Sequence, residues 1–196
     1  MQKQYVIFGC GSQSKYVVEN LMSNDKSNAQ SLRLVDLENK FVETNKANDI
    51  EIIKDTKYAI ELVKNNNYSI VIAHGNNKLK EETFYKLNLT KNRFINAIHS
   101  NSSISKNVTM GEGNIINSGS IVLPDAKIGS HIILHSGTII EHDCVINNFV
   151  NIAPGVVLAG GVEIGERSYI YTGVKVAPNI KIGHDSTIGA GSLVLN

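Results

Sequence analysis

The chain has 196 residues, 42% of them hydrophobic, and a formal net charge of +1, which is enough for one or two small domains with real cores. The near-zero charge gives no sign of nucleic acid or an anionic membrane as a partner. Two cysteines, Cys10 and Cys144, give no disulfide framework, and no apolar run reaches membrane-spanning length or resembles a signal-peptide core. These features predict a cytoplasmic protein that binds neither nucleic acid nor membrane.

The first hundred residues alternate between predicted strands and helices. The predicted strands are Tyr5–Phe8, Leu32–Val35, 69–73 and 94–98. The predicted helices begin near Ser12 or Ser14, at Thr56 and at residue 78, with the two serines and Thr56 as candidate caps. This alternation is typical of a small Rossmann-like α/β domain with a parallel sheet, which we assign to residues 1–101.

A glycine turn follows the first strand of this domain. In open α/β sheets, ligands lie outside the carboxyl ends of the strands, where backbone N–H groups and the start of a helix bind a phosphate. Gly9 and Gly11 begin a partial dinucleotide-type fingerprint that has Ser14 in place of the third glycine. A tight strand–helix turn without a ligand is the alternative. Asp36, directly after the second strand, favours a ligand because an acid there commonly binds a ribose hydroxyl.

A six-residue period organises the rest of the chain. Every sixth residue from 104 to 194 is aliphatic or Met: Ile104, Met110, Ile116, Val122, Ile128, Leu134, Ile140, Ile146, Ile152, Leu158, Ile164, Ile170, Val176, Ile182, Ile188 and Val194. The residue two places earlier is small or β-branched except at Asn114. Neither a helix nor a simple strand has this period. It predicts a parallel β-helix over residues 102–196, with three hexads per coil, the aliphatic residues inside, and glycines such as Gly111 and Gly129 relieving the corners.

His142 is the strongest candidate for a catalytic residue in this repeat. It follows an inward aliphatic position by two residues, so it should face outward at a corner. Pro124 and Gly160, eighteen residues away on either side, should stack on the same edge. The adjacent Glu141 and Asp143 favour the imidazolium that forms when a histidine accepts a proton. The alternative is a solvated corner histidine.

The other histidines give little indication of a metal site. His131 and His135 are four residues apart, a spacing that does not place both on one face of a β-helix. His99 and His135 are two coils apart in register, but Ile140 stands where a zinc site of this type would need a third histidine. We therefore predict no metal.

Two segments carry a resemblance to a known family. Residues 72–79 contain Gly75-Asn76-Asn77, and residues 141–144 read Glu-His-Asp-Cys within the hexads. Together with the α/β domain and its glycine turn, these segments resemble the PglD/NeuD-type sugar O-/N-acyltransferases over nearly the whole chain. The resemblance implies a left-handed β-helix of hexapeptide repeats and a homotrimer that binds CoA between adjacent β-helices.

The resemblance also implies roles for matched positions. His142 matches the catalytic base, and Asp143 matches the acid that raises its basicity. The implied acetyl-CoA contacts are Asn151, Gly160, Thr172 and Ala190, with Asn151 standing where many relatives carry a second histidine. The implied nucleotide-sugar contacts are Gly11, Ser12, Gln13 and Asp36.

The function that this resemblance implies is acetyl transfer from acetyl-CoA, the cosubstrate, to the amino group of a nucleotide-linked deoxyaminosugar in bacterial surface glycan (lipopolysaccharide) biosynthesis. O-acetylation of a sialic acid-like sugar needs the same base, so the motifs leave it open. A non-catalytic trimeric scaffold that binds sugar nucleotides is a further alternative, against which the two acids beside His142 argue.

Overall fold

The N-terminal half of the chain is an α/β unit. The computed structural model describes residues 3–25, 31–37, 50–65, 68–90 and 92–196. The first elements are β1 (Tyr5–Phe8), α1 (Ser12–Asn24), β2 (Leu32–Val35), β3 (Glu51–Ile53), α2 (Thr56–Asn65), β4 (Ser69–Ile72) and α3 (Asn77–Leu87). The four strands form one parallel sheet in the order β3-β2-β1-β4. The sequence did not predict β3.

Alternating side chains of the buried strands supply two cores, one on each face of this sheet. Ile7 of β1 packs with Val17 and Leu21 of α1 in one core. Val6, on the other face, packs with Ala59 and other residues of the second core. Helix α1 therefore covers one face of the sheet, and α2 and α3 cover the other.

The predicted helix caps were wrong at α1 and α2. The cap position of α1 is Gly11, which has no side chain to cap it, and the Ser14 hydroxyl donates back to the Gly11 carbonyl at 2.7 Å. Ser12 is already the first helical residue. At α2, the Asp55 carboxylate accepts the first free N–H groups, at 2.9 and 3.1 Å, in place of Thr56.

The C-terminal half is a stack of two-residue strands. They are β5 (Ala97–Ile98), β6 (Ser103–Ile104), β7 (Thr109–Met110), β8 (Ile115–Ile116), β9 (Ile121–Val122), β10 (Lys127–Ile128), β11 (Ile133–Leu134), β12 (Ile139–Ile140), β13 (Val145–Ile146), β14 (Asn151–Ile152), β15 (Val157–Leu158), β16 (Glu163–Ile164), β17 (Tyr169–Ile170), β18 (Lys175–Val176), β19 (Lys181–Ile182), β20 (Thr187–Ile188) and β21 (Leu193–Val194). Every third strand pairs in parallel, which makes three sheets around one core. We call them face 1 (β5, β8, β11, β14, β17, β20), face 2 (β6, β9, β12, β15, β18, β21) and face 3 (β7, β10, β13, β16, β19).

Paired strands are eighteen residues apart, as the hexad pattern predicts. Leu134, for example, pairs with Ile116 on one side and Ile152 on the other. All sixteen predicted inward residues belong to one apolar cluster. Twelve are buried, and the four at the ends of the stack, Ile104, Met110, Ile188 and Val194, are partly buried against it. The β-helix prediction is therefore confirmed.

The one exception in the hexad pattern, Asn114, is explained by hydrogen bonds inside a corner. Its side chain is fully buried. The amide donates to the Gly129 carbonyl at 2.9 Å and accepts from the Ile132 N–H at 2.8 Å. These bonds link adjacent coils and satisfy the buried polar atoms, so the asparagine is tolerated in an apolar column.

Three of the glycines after the inward position, Gly111, Gly129 and Gly165, serve close packing, not unusual backbone angles. A Cβ on Gly129 would lie 2.7 Å from the Asn148 Oδ1, and one on Gly165 would lie 2.4 Å from a backbone nitrogen. The left-handed conformation falls two residues later, and it recurs at six-residue spacing. His131 and Asp143 adopt it with φ of 57° and 60°. The predicted reason for these glycines was therefore wrong.

The α/β unit packs on face 1 of the β-helix. Outward residues Ala97, Ile115 and Ile133 of face 1 join the core formed by α1 and the sheet. Asn20 of α1 donates to the Ala97 carbonyl at 3.0 Å. Coil pairing begins at β5, a few residues before the predicted division between residues 101 and 102.

The stacking of inward residues predicts that two neighbouring residues of one strand contribute very differently to the free energy of unfolding. Ile128→Ala should lower the free energy of unfolding by about 2–5 kcal/mol, because Ile128 is buried in the stacked core. Lys127→Ala, its exposed neighbour in β10, is the matched control and should change it by less than about 0.5 kcal/mol. Urea denaturation measures both, and equal effects would contradict the inward assignment.

Candidate active site

His142 lies at the corner between faces 2 and 3, where β12 passes to β13. Its side chain is 62% exposed, and its Nδ1 is 2.8 Å from the Asp143 Oδ2. Asp143 is the left-handed residue of this corner, a conformation that Asp tolerates better than most side chains. The corner itself therefore turns the carboxylate back onto the preceding imidazole.

Gly160 lies beside the imidazole one coil further along. The Asp143 N–H donates to the Pro124 carbonyl, and the Gly161 N–H to the His142 carbonyl, so Pro124, His142 and Gly160 stack on one edge as the coil length predicts. A Cβ on Gly160 would lie 2.6 Å from the His142 Nε2. Any larger residue there would push the ring away, so glycine leaves room for the imidazole in its present position.

The electrostatics of this corner make His142 a stronger base than an ordinary histidine. The hydrogen bond that His142 donates to Asp143 raises the pKa of His142, and the nearby charges of Asp143, Glu141 and Asp125 raise it further. A carboxylate only accepts hydrogen bonds, so the bonded Nδ1 carries the proton in the neutral ring. The basic atom is then Nε2, on the Gly160 side.

Cys144, two residues after His142, is not placed to act as a nucleophile. Its side chain points into the β-helix and its Sγ donates to the Ala159 carbonyl at 3.2 Å. Burial raises the pKa of the Cys144 thiol, which disfavours the reactive thiolate. The corner therefore offers a base without a covalent acyl carrier beside it.

A second His–Asp pair has the same local geometry at another corner. His184 Nδ1 is 2.8 Å from the Asp185 Oδ2, and Asp185 is also left-handed. Here, however, Arg167 binds both Asp185 oxygens at 2.8 Å. The carboxylate is committed to an ion pair, so His184 serves as an internal comparison for His142.

The glycine turn forms an open edge on the α/β unit. Gly9 has φ of +122°, and a Cβ there would lie 2.7 Å from the Ala73 carbonyl oxygen, so only glycine fits. A Cβ on Gly11 would meet no atom within 4 Å. Ser12 and Gln13 begin α1 next to this open space, where the first N–H groups of a helix lack intrahelical acceptors. The turn thus has the form of an anion-binding edge.

Asp36 lies close by but is covered. It directly follows β2, its N–H donates to the Ile53 carbonyl at 2.9 Å, and it is only 2% exposed. A sugar nucleotide would reach the Asp36 side chain only if part of its cover moved. The predicted contact of Asp36 with a ribose or base stays a prediction.

The expected acetyl-CoA positions fall in three places on the β-helix. Gly160 shares the corner of His142. Thr172 and Ala190 are exposed on the corner between faces 1 and 2, where the Gly191 N–H donates to the Thr172 carbonyl. Face 2 separates these two corners. One chain therefore does not bring all the expected contacts together.

Asn151 is on face 1, under the α/β unit. It is fully buried, its Oδ1 accepts from the Lys80 Nζ at 2.8 Å, and its Nδ2 donates to the Gly75 carbonyl at 2.6 Å. The expected contact of Asn151 with the acetyl group would require these bonds to open.

Sequence reasoning missed Lys80 at this interface. The buried residues of α3 are Asn77, Lys80, Thr83 and Leu87, a helical spacing that marks one face. Three of these four residues are polar, so the stripe looks like a solvated face in the sequence.

The histidines considered for metal binding are in different surroundings. His131 is buried among Phe84, Phe94 and Phe149, stacked on the last of these. His135 contacts the edge of Tyr16 at another corner. Within the described ranges, no group of three or more His, Cys, Asp or Glu residues is arranged to hold a metal ion. No helix in the same ranges is long and apolar enough to cross a membrane.

Comparison with protein families matches both halves of the chain. The PglD N-terminal domain matches residues 4–87, and the bacterial transferase hexapeptide (six repeats) matches residues 161–196. No curated protein matches the chain.

Solved structures match over the full length. A mutant of perosamine N-acetyltransferase from Caulobacter crescentus, in complex with CoA and GDP-perosamine, is 28% identical with a TM-score of 0.86, over 100% of this chain and 90% of that chain. The acetyltransferase domain of PglB from Neisseria gonorrhoeae, in complex with acetyl coenzyme A, shares the fold at 22% identity and a TM-score of 0.81, over 100% and 92%. WeeI from Acinetobacter baumannii shares it at 16% identity and 0.64, over 98% and 94%. With its Rossmann-like domain followed by a left-handed parallel β-helix, the chain combines a PglD N-terminal domain with bacterial transferase hexapeptide repeats, and it is similar to the PglD/NeuD-type acyltransferases.

Proposed function

We propose that this protein is an acetyl-CoA-dependent N-acetyltransferase that acts on the amino group of a nucleotide-linked deoxyaminosugar. The observation that carries the proposal is the exposed His142, with Nδ1 on Asp143 and Nε2 beside Gly160. Its support from relatives is the perosamine N-acetyltransferase bound to CoA and GDP-perosamine. Because acetyl-CoA and nucleotide sugars are cytoplasmic metabolites, we place the reaction in the cytoplasm, in surface glycan biosynthesis.

In the proposed reaction, the amine nitrogen of the sugar attacks the thioester carbonyl carbon of acetyl-CoA. A C–N bond forms, the His142 Nε2 takes a proton from the nitrogen, and Asp143 stabilises the imidazolium. A backbone N–H near Gly160 stabilises the tetrahedral oxyanion. The C–S bond then breaks and CoA leaves as thiolate, which the imidazolium can protonate. Binding both substrates supplies proximity, so no acyl-enzyme is needed.

The positions of the two proposed sites support a site shared between subunits. The α/β unit, with its glycine turn, packs on face 1. His142 is at the corner between faces 2 and 3, which is the corner opposite face 1. A sugar nucleotide bound at Gly11–Gln13 would thus be separated from His142 of the same chain by the β-helix. We propose that it reaches His142 of a neighbouring subunit.

A homotrimer with CoA between adjacent β-helices would provide such a shared site. It would bring the corner of His142 and Gly160 in one subunit next to the corner of Thr172 and Ala190 in another. Outward residues of face 2 form a half-buried apolar row, Ile121, Ile139 and Val157, in register across three coils. Such a row suits packing between subunits.

Loss of the base should be the largest single effect on turnover. His142→Ala should lower kcat by roughly 10²- to 10⁴-fold at neutral pH, with the fold intact because the side chain fills no core volume. The assay follows CoA release with acetyl-CoA and a panel of UDP-, GDP- and dTDP-aminosugars. His184→Ala, which removes the other His–Asp pair, is the matched control and should keep wild-type kcat.

The pH dependence of His142→Ala separates amine from hydroxyl acceptors. Part of the lost activity should return at alkaline pH with an aminosugar, because more of the amine is unprotonated there. A hydroxyl acceptor such as a sialic acid-like sugar would show no such rescue. If His142→Ala kept more than about a third of wild-type activity at neutral pH, His142 would not be the base.

The hydrogen bond from His142 to Asp143 predicts a shift in the pH profile. Activity needs neutral His142, so kcat/KM should rise with pH through the pKa of His142. Since Asp143 raises this pKa, Asp143→Asn should lower it and move the acidic limb of the profile to lower pH. The plateau should also fall because the base is weaker. Asp125→Asn, at the same corner one coil earlier, is the control and should move the acidic limb less. If the limb did not move in Asp143→Asn, Asp143 would not set the pKa of His142.

Sites shared between subunits should complement each other. A side chain in the open space at Gly11 should block the sugar-nucleotide site without disturbing the fold, so Gly11→Leu and His142→Ala should each be inactive. Co-expressed in equal amounts, they should form mixed trimers in which about one site in four has both halves intact. Recovery of activity and a trimeric mass by light scattering are expected. A monomer, or no recovery, would contradict the shared site.

A further inference from the structure

A network of buried hydrogen bonds joins the α/β unit to face 1, and the proposed chemistry does not use it. The Lys80 Nζ donates to the Asn151 Oδ1 at 2.8 Å, and the Asn151 Nδ2 donates to the Gly75 carbonyl at 2.6 Å. Lys80 and Asn151 are both 0% exposed. The hydrogen bonds thus link α3 to a strand of the β-helix, and link that strand to the loop before α3.

Burial of the Lys80 amine at this position carries a desolvation penalty. Burial lowers the pKa of Lys80 to about 7. In the part of the chain that the structure describes, Lys80 forms no ion pair with a carboxylate. His131 and His135 lie near it, and their pKa values are lowered, first by burial and then by the charge of Lys80. An apolar side chain would fill the space at lower cost, so the amine group itself has a use.

That use is to set the orientation of the Asn151 amide. An amide side chain can flip, and its two ends have opposite hydrogen-bonding roles. The Lys80 Nζ carries N–H donors in both its charged and its neutral form, so it can donate to the oxygen of Asn151 and hold it towards α3. The NH₂ group of Asn151 is then directed to the Gly75 carbonyl, which can only accept.

The loop held in this way borders the proposed acceptor site. Gly75 follows β4, the strand that neighbours β1 and its glycine turn. A Cβ on Gly75 would lie 3.7 Å from the Cγ and Nε2 of Gln13. After β1 and β4 the polypeptide continues into helices on opposite faces of the sheet. The crevice between two such strands is the usual place for a ligand in an open α/β sheet. A shift of Gly75 would therefore alter the wall of the site at Gln13.

Other contacts dock α3 on the β-helix without involving Lys80. The Asn77 amide donates to the Arg167 and Ser168 carbonyls at 2.9 and 3.1 Å. Arg167 also pairs with Glu81 of α3 at 3.2 Å. These contacts dock the two units independently of Lys80. The contribution that is specific to Lys80 is its effect on Asn151 and, through it, on Gly75.

We propose that Lys80 is a positioning residue for the nucleotide-sugar acceptor: by orienting the Asn151 amide, it holds the Gly75 loop against Gln13. This inference rests on the proposed function. It assigns Asn151 to the acceptor side of the reaction, and it predicts that acceptor affinity depends on Lys80 while acetyl-CoA affinity does not.

The kinetic test uses two variants that interrupt the hydrogen-bond network at different points. Lys80→Met keeps the length and volume of the side chain but removes the donor. Asn151→Asp gives Lys80 a stronger acceptor but removes the N–H group that holds Gly75. Each should raise KM for the nucleotide sugar by about tenfold, with kcat and KM for acetyl-CoA within about twofold of wild type. Lys80→Arg, which keeps a donor, should restore most of the affinity.

Glu81→Gln is the matched control, because it removes an ion pair between the same two units one residue along α3. It should leave both KM values unchanged. Unchanged acceptor KM in Lys80→Met and Asn151→Asp would overturn the proposal. So would a parallel loss of kcat and both affinities, which indicates a merely structural role. Should Lys80→Met not fold, Asn151→Asp and Lys80→Arg still decide.

A second measurement distinguishes failure of this inference from failure of the proposed function. Amide hydrogen exchange in peptides covering residues 74–79 should become faster in Lys80→Met and Asn151→Asp, and stay unchanged in Glu81→Gln. This readout needs no substrate. If the wild type acetylates no aminosugar nucleotide, the function fails, and the exchange data still test the hold on the loop. Equal exchange in all variants overturns the inference.

Discussion

Stacking of one aliphatic side chain on its equivalent in the next coil is the constraint on which the rest of the structure depends. The inward column fixes a coil of eighteen residues, because each strand pairs with the strand three further along. Corner residues then stack with the same spacing, and this places His142 beside Gly160. The geometry of the proposed base is thus a consequence of core packing, and the left-handed corner supplies the carboxylate of Asp143.

The second constraint is the docking of the α/β unit on one face only. Face 1 is covered by α1 and α3, with buried polar contacts from Asn20, Asn77 and Lys80. The corner with His142 is left open on the far side. The two proposed sites therefore face away from each other within a chain, so the proposed reaction needs the proposed assembly of subunits.

The sequence predicted the parts of the fold that repeat. The hexads are periodic over the whole second half, so an error at one position does not shift the phase, and all sixteen inward residues were identified. The corner position of His142 followed from the same phase. In the α/β unit, β1 and β2 were predicted with their bounds because both are short runs of mostly apolar residues.

Features that depend on contacts distant in the sequence were missed or misread. Strand β3 is three residues long and takes its identity from pairing with β2. The cap of α2 is Asp55 because its carboxylate reaches two N–H groups that Thr56 does not. The burial of Lys80 depends on Asn151, which is 71 residues away in the chain. No local pattern around Lys80 distinguishes it from a surface lysine.

The most direct test of the central claim is a crystal structure of the protein with CoA and a nucleotide-linked aminosugar. We expect the amine nitrogen of the sugar within about 3 Å of the His142 Nε2, with the thiol of CoA beside Gly160. We also expect the nucleotide to lie on the glycine turn of a neighbouring subunit. A complex in which either ligand binds away from the His142 corner, or in which one chain supplies the whole site, would contradict the account.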